Sequence, residues 1–375
     1  MKKSITDKAG KALLIIFCAI LLCLLFIIIY FLIKSPGKIA PFLDDNGVVI
    51  ENSISEKIFV EINGIRQGMF IRGEDKNNPI LLFIHGGPGM PEYFLADKYQ
   101  TGLEKYFTVC YPEQRGAGLS YNSDISGEDL TVSQLVSDTI EVANYLCERF
   151  GQGKVYLMGH SWGSLIGIQA AASSPKLFHA YIGMSQLAEQ TKSETIAYHY
   201  MKEKYSESGN KRKIREFEKH DISNKAGMMN YFTSALRDNS MHELGIGTMR
   251  QMRSVVIGVF FPVMNCRAYT FSEKINIWVA KSFLSRATNL QQELLDADLM
   301  NTYTDFEIPI YFIAGKHDYT TNYGLQKEYF NQINAPLKGF YTFENSAHSP
   351  LFEEPRHFIE IVNNDMMNGV ADLAD

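Results

Sequence analysis

The pattern of apolar and polar positions divides the chain into three regimes. The first is residues 12–33, an unbroken apolar run with only Cys18, Cys23 and Tyr30 faintly polar. At ~1.5 Å per residue a helix over this run reaches about 33 Å, enough to cross a hydrocarbon core of roughly 30 Å. A cleaved signal peptide has a shorter apolar core, about 7–15 residues. No small-x-small site follows Ile33, because Lys38 occupies the −3 position of the one tempting site, after Ala40. No lipobox-like small residue precedes either cysteine. The pattern therefore predicts a tail at 1–11, a transmembrane helix at 12–33 and a polar spacer at 34–55, where Pro36, Gly37 and Pro41 break helix. Lys2, Lys3, Lys8 and Lys11 precede the span, whereas only Lys34 and Lys38 closely follow it. The positive-inside rule then puts the N-terminus in the cytoplasm and the remainder of the chain on the extracellular side.

The second regime alternates short strands with helices. Residues 56–62 and 65–72 flank Asn63-Gly64, a hairpin signal. Short apolar runs follow at 79–84, 107–111, 154–158 and 179–184, and again at 309–314 and 337–343. Helical periodicity lies between them, at 90–105, at 131–150 behind Thr131 as N-cap, and through Leu165, Ile166, Ile168 and Ala171. Buried strands joined by crossover helices make a mostly parallel sheet flanked by helices. In the third regime, from Gln186, the spacing becomes that of long amphipathic helices, and strand signals return only at Ile308. The expectation is a core of residues 56–186 and 303–375, interrupted at 187–302 by a helical cap that excludes water and shapes a pocket. The cap's methionine and aromatic stripes read as packing.

Chemistry collects at the ends of these strands. Gly159-His160-Ser161-Trp162-Gly163 follows the strand at 154–158 directly, so Ser161 sits on a strand-to-helix turn tight enough to need glycine on both sides. Taken alone, this pattern also fits a glycine-rich loop with an exposed serine. The strand at 79–84 runs into His85-Gly86-Gly87-Pro88-Gly89. The amides of Trp162 and Gly87, with Gly86 as the alternative, would hold an oxyanion there. The late strands deliver Gly315-Lys316-His317-Asp318 and then Glu344-Asn345-Ser346-Ala347-His348 to one edge of the sheet. That order assigns Ser161 as nucleophile, His348 as base and Asp318 as the acid that orients it. Glu344 is the alternative acid, but it lies too close in sequence to His348. His317, His160 and His85 read as packing or loop-orienting residues.

The His85 to Gly89 run, the run Glu113-Gln114-Arg115-Gly116-Ala117-Gly118-Leu119-Ser120, the Ser161 turn and His348 together resemble the proline iminopeptidase (prolyl aminopeptidase) family of α/β hydrolases. The resemblance covers residues 56–186 and 303–365. It implies an α/β-hydrolase fold with an inserted cap and acyl-enzyme chemistry without metal or organic cofactor. It also implies aminopeptidase action on short peptides. One departure is Glu113, where the family pattern has Asp. The cap shows no recognisable peptidase pattern, so its amine-binding acids cannot be carried over; Glu189, Glu194, Glu203 and Glu218 are the candidates. Gln114 and Arg115 either support the glycine loop, with His85, or belong to a solvated turn. Gln186 either hydrogen-bonds near the site or caps its strand. An esterase or lactonase acting on small acyl compounds, and a non-catalytic binding protein on a hydrolase fold, are the other two readings. Ser161 argues against the epoxide-hydrolase and dehalogenase branches, which need a carboxylate nucleophile.

Composition narrows partners. A net charge of −6 without a long basic tract offers nothing for nucleic acid. Lys211, Arg212, Lys213 and Arg215 alternate with glutamates and read as a solvated helix face. Of the 5 cysteines, Cys18 and Cys23 fall in the apolar run, and Cys110, Cys147 and Cys266 show neither C-x-x-C spacing nor an even number. Neither a disulfide framework nor a zinc site is indicated. The partners expected are a small molecule or short peptide and the membrane; no pattern specifies an oligomeric state.

Overall fold

The computed structural model describes residues 2–375, with side chains from residue 10 onward. Helix α1 (Lys2–Ile33) contains Gly10–Ile33, a stretch of mean hydropathy 3.6 that is not buried against the rest of the protein. It is long and apolar enough to cross a membrane. Residues 2–11 continue the same helix. The spacer is docked rather than free: Pro36 bridges Thr270 and the Lys38 amide donates to Arg267 O at 3.0 Å.

Strands β1 (Ile54–Ile62) and β2 (Ile65–Gly73) form the hairpin around Asn63-Gly64. Both turn residues have positive φ, 46° and 73°, which Asn and Gly tolerate. There follow β3 (Ile80–Ile84), α2 (Tyr93–Tyr99), β4 (Thr108–Pro112), α3 (Val132–Phe150), β5 (Val155–His160), α4 (Trp162–Ser173) and β6 (Phe178–Met184). Helix α2 is shorter than the periodicity at 90–105 predicts. Pro91 precedes it, and Gln100 (φ 50°) and Gly102 (φ 84°) take left-handed conformations that end it. Helices α5 (Gln190–Glu207), α6 (Lys211–Phe217), α7 (Lys225–Phe232), α8 (Ala235–Leu244), α9 (Phe261–Asn265), α10 (Phe271–Ala287) and α11 (Leu290–Leu295) separate β6 from β7 (Ile310–Gly315). The chain closes with α12 (Tyr323–Gln332), β8 (Lys338–Phe343), α13 (Pro350–Glu353) and α14 (Pro355–Asn364).

The strands form one sheet in the order β1-β2-β4-β3-β5-β6-β7-β8. The pairs β1/β2 and β2/β4 are antiparallel, and the others parallel. Parallel strands must be covered on both faces, and the period of 2 along β3 shows how. Ile80, Leu82 and Ile84 join Leu135, Val142, Ile166 and Ile168 of α3 and α4. Leu81 and Phe83 join Phe94 of α2 with Phe358 and Ile361 of α14. The aromatic and methionine stripes of α5 to α8 form a third cluster of their own, with Tyr198, Met201, Phe217, Met228, Tyr231 and Met241.

Arg115 does not reach the glycine loop. Its guanidinium turns to α3 and makes a two-pronged contact with Asp138, at 2.7 and 2.9 Å, while the same carboxylate accepts from Gln67 and Asn63. The reason is electrostatic: Asp138 is buried in the β1–β2–α3 corner and needs a cation there. Removing one partner leaves a buried charge uncompensated. Arg115→Ala should therefore destabilise the fold by about 3–5 kcal/mol, measured by denaturant unfolding of the detergent-solubilised protein.

Candidate active site

Ser161 lies between β5 and α4 with φ 55° and ψ −121°, outside the conformations L-residues prefer. Glycines make that possible by letting three elements touch. A Cβ on Gly159 would stand 2.5 Å from Gly163 O, and one on Gly163 would stand 2.1 Å from Ile84 O of β3. Any side chain at either position would push the helix off the sheet.

The three residues proposed from sequence order meet here. Ser161 Oγ is 2.7 Å from His348 Nε2, and His348 Nδ1 is 2.8 Å from Asp318 Oδ2. Nδ1 faces a carboxylate and so carries the proton, leaving Nε2 to accept from the serine hydroxyl. Asp318 is fully buried. Its Oδ1 accepts from the Thr320 and Thr321 amides at 2.8 and 3.0 Å, and its Oδ2 from the Thr321 hydroxyl at 2.9 Å. Burial alone would raise its pKa, but His348 and these donors together hold it below the ordinary carboxylate value.

The other histidines have separate duties. His160 points one ring nitrogen at the Glu92 carboxylate, 2.7 Å away, and the other at the His348 carbonyl oxygen, also 2.7 Å away. Burial lowers its pKa, but Glu92 outweighs that and the net direction is upward. Ser185 donates to the same His348 carbonyl at 2.9 Å. Glu353 accepts from the Ala347 amide at 2.9 Å and holds the histidine loop from below. His85 Nδ1 donates to Gly86 O at 2.7 Å while its Nε2 accepts from the Gln114 amide at 3.1 Å, so it is neutral, and burial pushes its pKa down. Gln114 bridges the two backbone motifs: its amide nitrogen donates to His85 O at 2.7 Å and its oxygen accepts from the Trp162 indole at 2.9 Å. Among the described residues, the Gly87 and Trp162 amides donate to no protein acceptor. Gln186 lies behind α4, accepting from Tyr181 and donating to Leu187 O. Glu344 is solvent-exposed and faces Lys316 rather than His348.

A cavity of about 910 Å³ opens over Ser161, and its walls include Glu92, Arg237, Asp238, Trp278 and Lys281. Glu189, Glu194, Glu203 and Glu218 do not line it. Glu194 is fully buried against Arg237, and Glu203 and Glu218 are exposed on the outer cap. The carboxylate beside Ser161 comes instead from the core. A Cβ on Gly86 would stand 3.1 Å from Glu92 Oε1 and 3.4 Å from Ser161 Cβ, so both groups flank the same point. Nothing in the spacing of Met90-Pro91-Glu92 announces this, because the chain turns there outside any periodic element. Lys281 of α10 lines the same cavity, donating to Pro88 O at 2.9 Å and reaching no carboxylate within 4 Å among the described residues.

A family model described as the alpha/beta hydrolase fold matches residues 79–355, and the chain belongs to that family of hydrolases. Among individual proteins, it is 32% identical to the "Probable aminopeptidase YbaC" of Bacillus subtilis, over 80% of this chain and 92% of that one. It is 23% identical to a "Proline iminopeptidase" of Saccharolobus solfataricus, over 78% of this chain and 85% of that one. The crystal structure of proline iminopeptidase from Mycobacterium smegmatis superposes with a TM-score of 0.61 at 17% identity, over 82% of this chain and 96% of that one, a likeness of fold.

Glu113, the departure from the family's Asp, is buried and bonded to the Tyr269 hydroxyl just ahead of α10 and to the Leu119 amide. Burial outweighs these hydrogen bonds and pushes its pKa up to about 8. The folded protein then keeps a proton that the unfolded chain releases above about pH 4.3, so this group's contribution to stability falls as pH rises from there to about 8. Glu113→Gln cannot ionise and should lose that slope. Between pH 5 and 8 the melting temperature of the variant should rise relative to wild type, followed by calorimetry across the range.

Proposed function

We propose that the chain is a membrane-anchored serine hydrolase that removes an N-terminal residue from short peptides through an acyl-enzyme. The observation that carries the hydrolytic part is the Ser161–His348–Asp318 chain of contacts, 2.7 and 2.8 Å long, at the floor of a cavity. His348 takes the hydroxyl proton as Ser161 Oγ attacks the scissile carbonyl. The Gly87 and Trp162 amides receive the oxyanion, and His348 returns the proton to the leaving amine. A water molecule, deprotonated by the same imidazole, then releases the acyl group. No step calls on a metal or organic cofactor. An intact constellation of this kind argues against a binding protein that has lost its chemistry.

The aminopeptidase reading draws on the relatives' names and on Glu92. An N-terminal ammonium lies one carbon from the scissile carbonyl, so its partner must stand next to the nucleophile, where Glu92 is. The apolar helix α1 serves as the anchor, with the N-terminus cytoplasmic and the catalytic domain extracellular, as the lysine distribution supports. A second reading, an esterase acting on small acyl compounds, is favoured by Lys281, since an unpaired cation in the cavity repels an ammonium.

A fluorophosphonate probe should label the solubilised protein and leave Ser161→Ala unlabelled, and Asp318→Asn should lower kcat by about 10⁴-fold. Labelling that persists in Ser161→Ala would end the serine-hydrolase reading. Substrate choice is read from steady-state kinetics on proline and other amino-acid arylamides beside short acyl esters. Glu92→Gln should raise KM for the free-amine substrates roughly tenfold more than for the esters, the size of one charge-assisted hydrogen bond. An equal effect on both would remove Glu92 as the amine's partner, and turnover of esters alone would favour the esterase.

A further inference from the structure

One face of the molecule carries apolar side chains that nothing in the fold covers. Val255, Val256, Ile257 and Phe261 are 41%, 54%, 71% and 45% exposed, and beside them on α10 Ile275 and Val279 are 42% and 43% exposed. The stretch Val256–Asn265 is an apolar helix in its own right. Scattered exposed hydrophobics are ordinary, but a contiguous patch of this kind marks an interaction surface. Along the chain arginines flank residues 255–261: Arg250 and Arg253 precede them, Arg267 follows, and no acidic residue occurs between Glu243 and Glu273.

The patch lies where the anchor helix meets the domain. Tyr30 at the end of α1 donates to Asn265 Oδ1 at 3.0 Å, which ties the helix to α9. Lys274 of α10 donates to Lys34 O and to Ser35 Oγ, each at 2.9 Å, and the Lys38 amide donates to Arg267 O. The inner side of the same segment is cavity wall, because Val259 and Trp278 line the cavity over Ser161, with Val255 at the rim between the two faces, and Trp278 packs on Phe260 with ring centroids 5.6 Å apart.

We propose that the cap face formed by residues 255–261 with Ile275 and Val279 seats in the headgroup region of the bilayer that α1 spans, placing the rim of the catalytic cavity at the lipid surface. This rests on the reading of α1 as a membrane span. The occupant follows from continuity: a surface bonded to the last turn and exit of a transmembrane helix faces the membrane that holds the helix. An apolar face with flanking arginines is what an interfacial segment needs, apolar groups entering the acyl boundary and arginines meeting phosphates. Tethering by α1 keeps the patch at high local concentration beside lipid, so weak intrinsic affinity suffices.

The test uses the full chain reconstituted in phosphatidylcholine/phosphatidylglycerol vesicles with or without brominated acyl chains. Ile257→Trp adds an indole at the most exposed patch position; Val279→Trp is the independent second reporter, and wild type with its own 2 tryptophans is the baseline. The added fluorescence should be blue-shifted, shielded from aqueous iodide and quenched by brominated lipid, because an interfacial segment buries its apolar face at the headgroup/acyl boundary. Quenching by iodide but not by brominated lipid would overturn the proposal. Shielding from both quenchers would also overturn it, because protein rather than lipid would then cover the patch. Alkaline washing of the wild-type vesicles separates the two possible failures. Protein stripped by the wash sinks the span itself, whereas protein that stays while the reporters remain in water sinks only the docking.

Discussion

The active site depends on one close contact, that between the start of α4 and strands β3 and β5. Gly163 packs so tightly on Ile84 O, and Gly159 on Gly163 O, that neither has room for a Cβ. This pins the helix N-terminus to the sheet and forces Ser161 into its left-handed conformation. Strain of that sort persists only where the surroundings over-determine it. Here they do, through a parallel sheet buried on both faces and α4 apolar around nearly its whole circumference. The contact also settles what the serine meets. Its hydroxyl projects above the strand ends, where the loops after β3, β7 and β8 bring Gly87, Asp318 and His348.

Support for the histidine comes from behind. His348 presents its ring to Ser161 and Asp318, while its carbonyl oxygen is held by His160 and Ser185 and its loop by Glu353. Two buried carboxylates therefore work in opposite ways. Asp318 is surrounded by donors and held below the ordinary carboxylate value; Glu113, buried with two donors, is pushed up to about 8. The extra methylene of Glu113, compared with the Asp of the resembling family, gives its carboxyl additional reach toward Tyr269 beside α10.

Much of this was legible in the sequence where residues obey a local period or a fixed order. The hairpin at Asn63-Gly64, the alternating strands and the meeting of Ser161, Asp318 and His348 follow from patterns only a few residues long. Glu92 and Lys281 were not legible. Each reaches the cavity from a different part of the chain, and no spacing within either segment encodes their common wall. Arg115 shows the same limit in reverse: its neighbours Gln114 and Gly116 belong to a motif, but its side chain answers to Asp138. The cap glutamates stand away from the cavity for a related reason. Glu194 is balanced by Arg237 in the cap's own interior, a pairing that only the packing of α5 on α8 reveals.

The central claim is that Ser161 carries the acyl group between two half-reactions. Rapid mixing of the solubilised protein with an activated short-chain acyl ester, followed by acid quench and peptide mass spectrometry, tests it directly. The account predicts a transient adduct of the acyl mass on the peptide containing Ser161, accumulating before steady state and decaying with turnover. Turnover that proceeds with no such adduct, or with the acyl group on another residue, would contradict it.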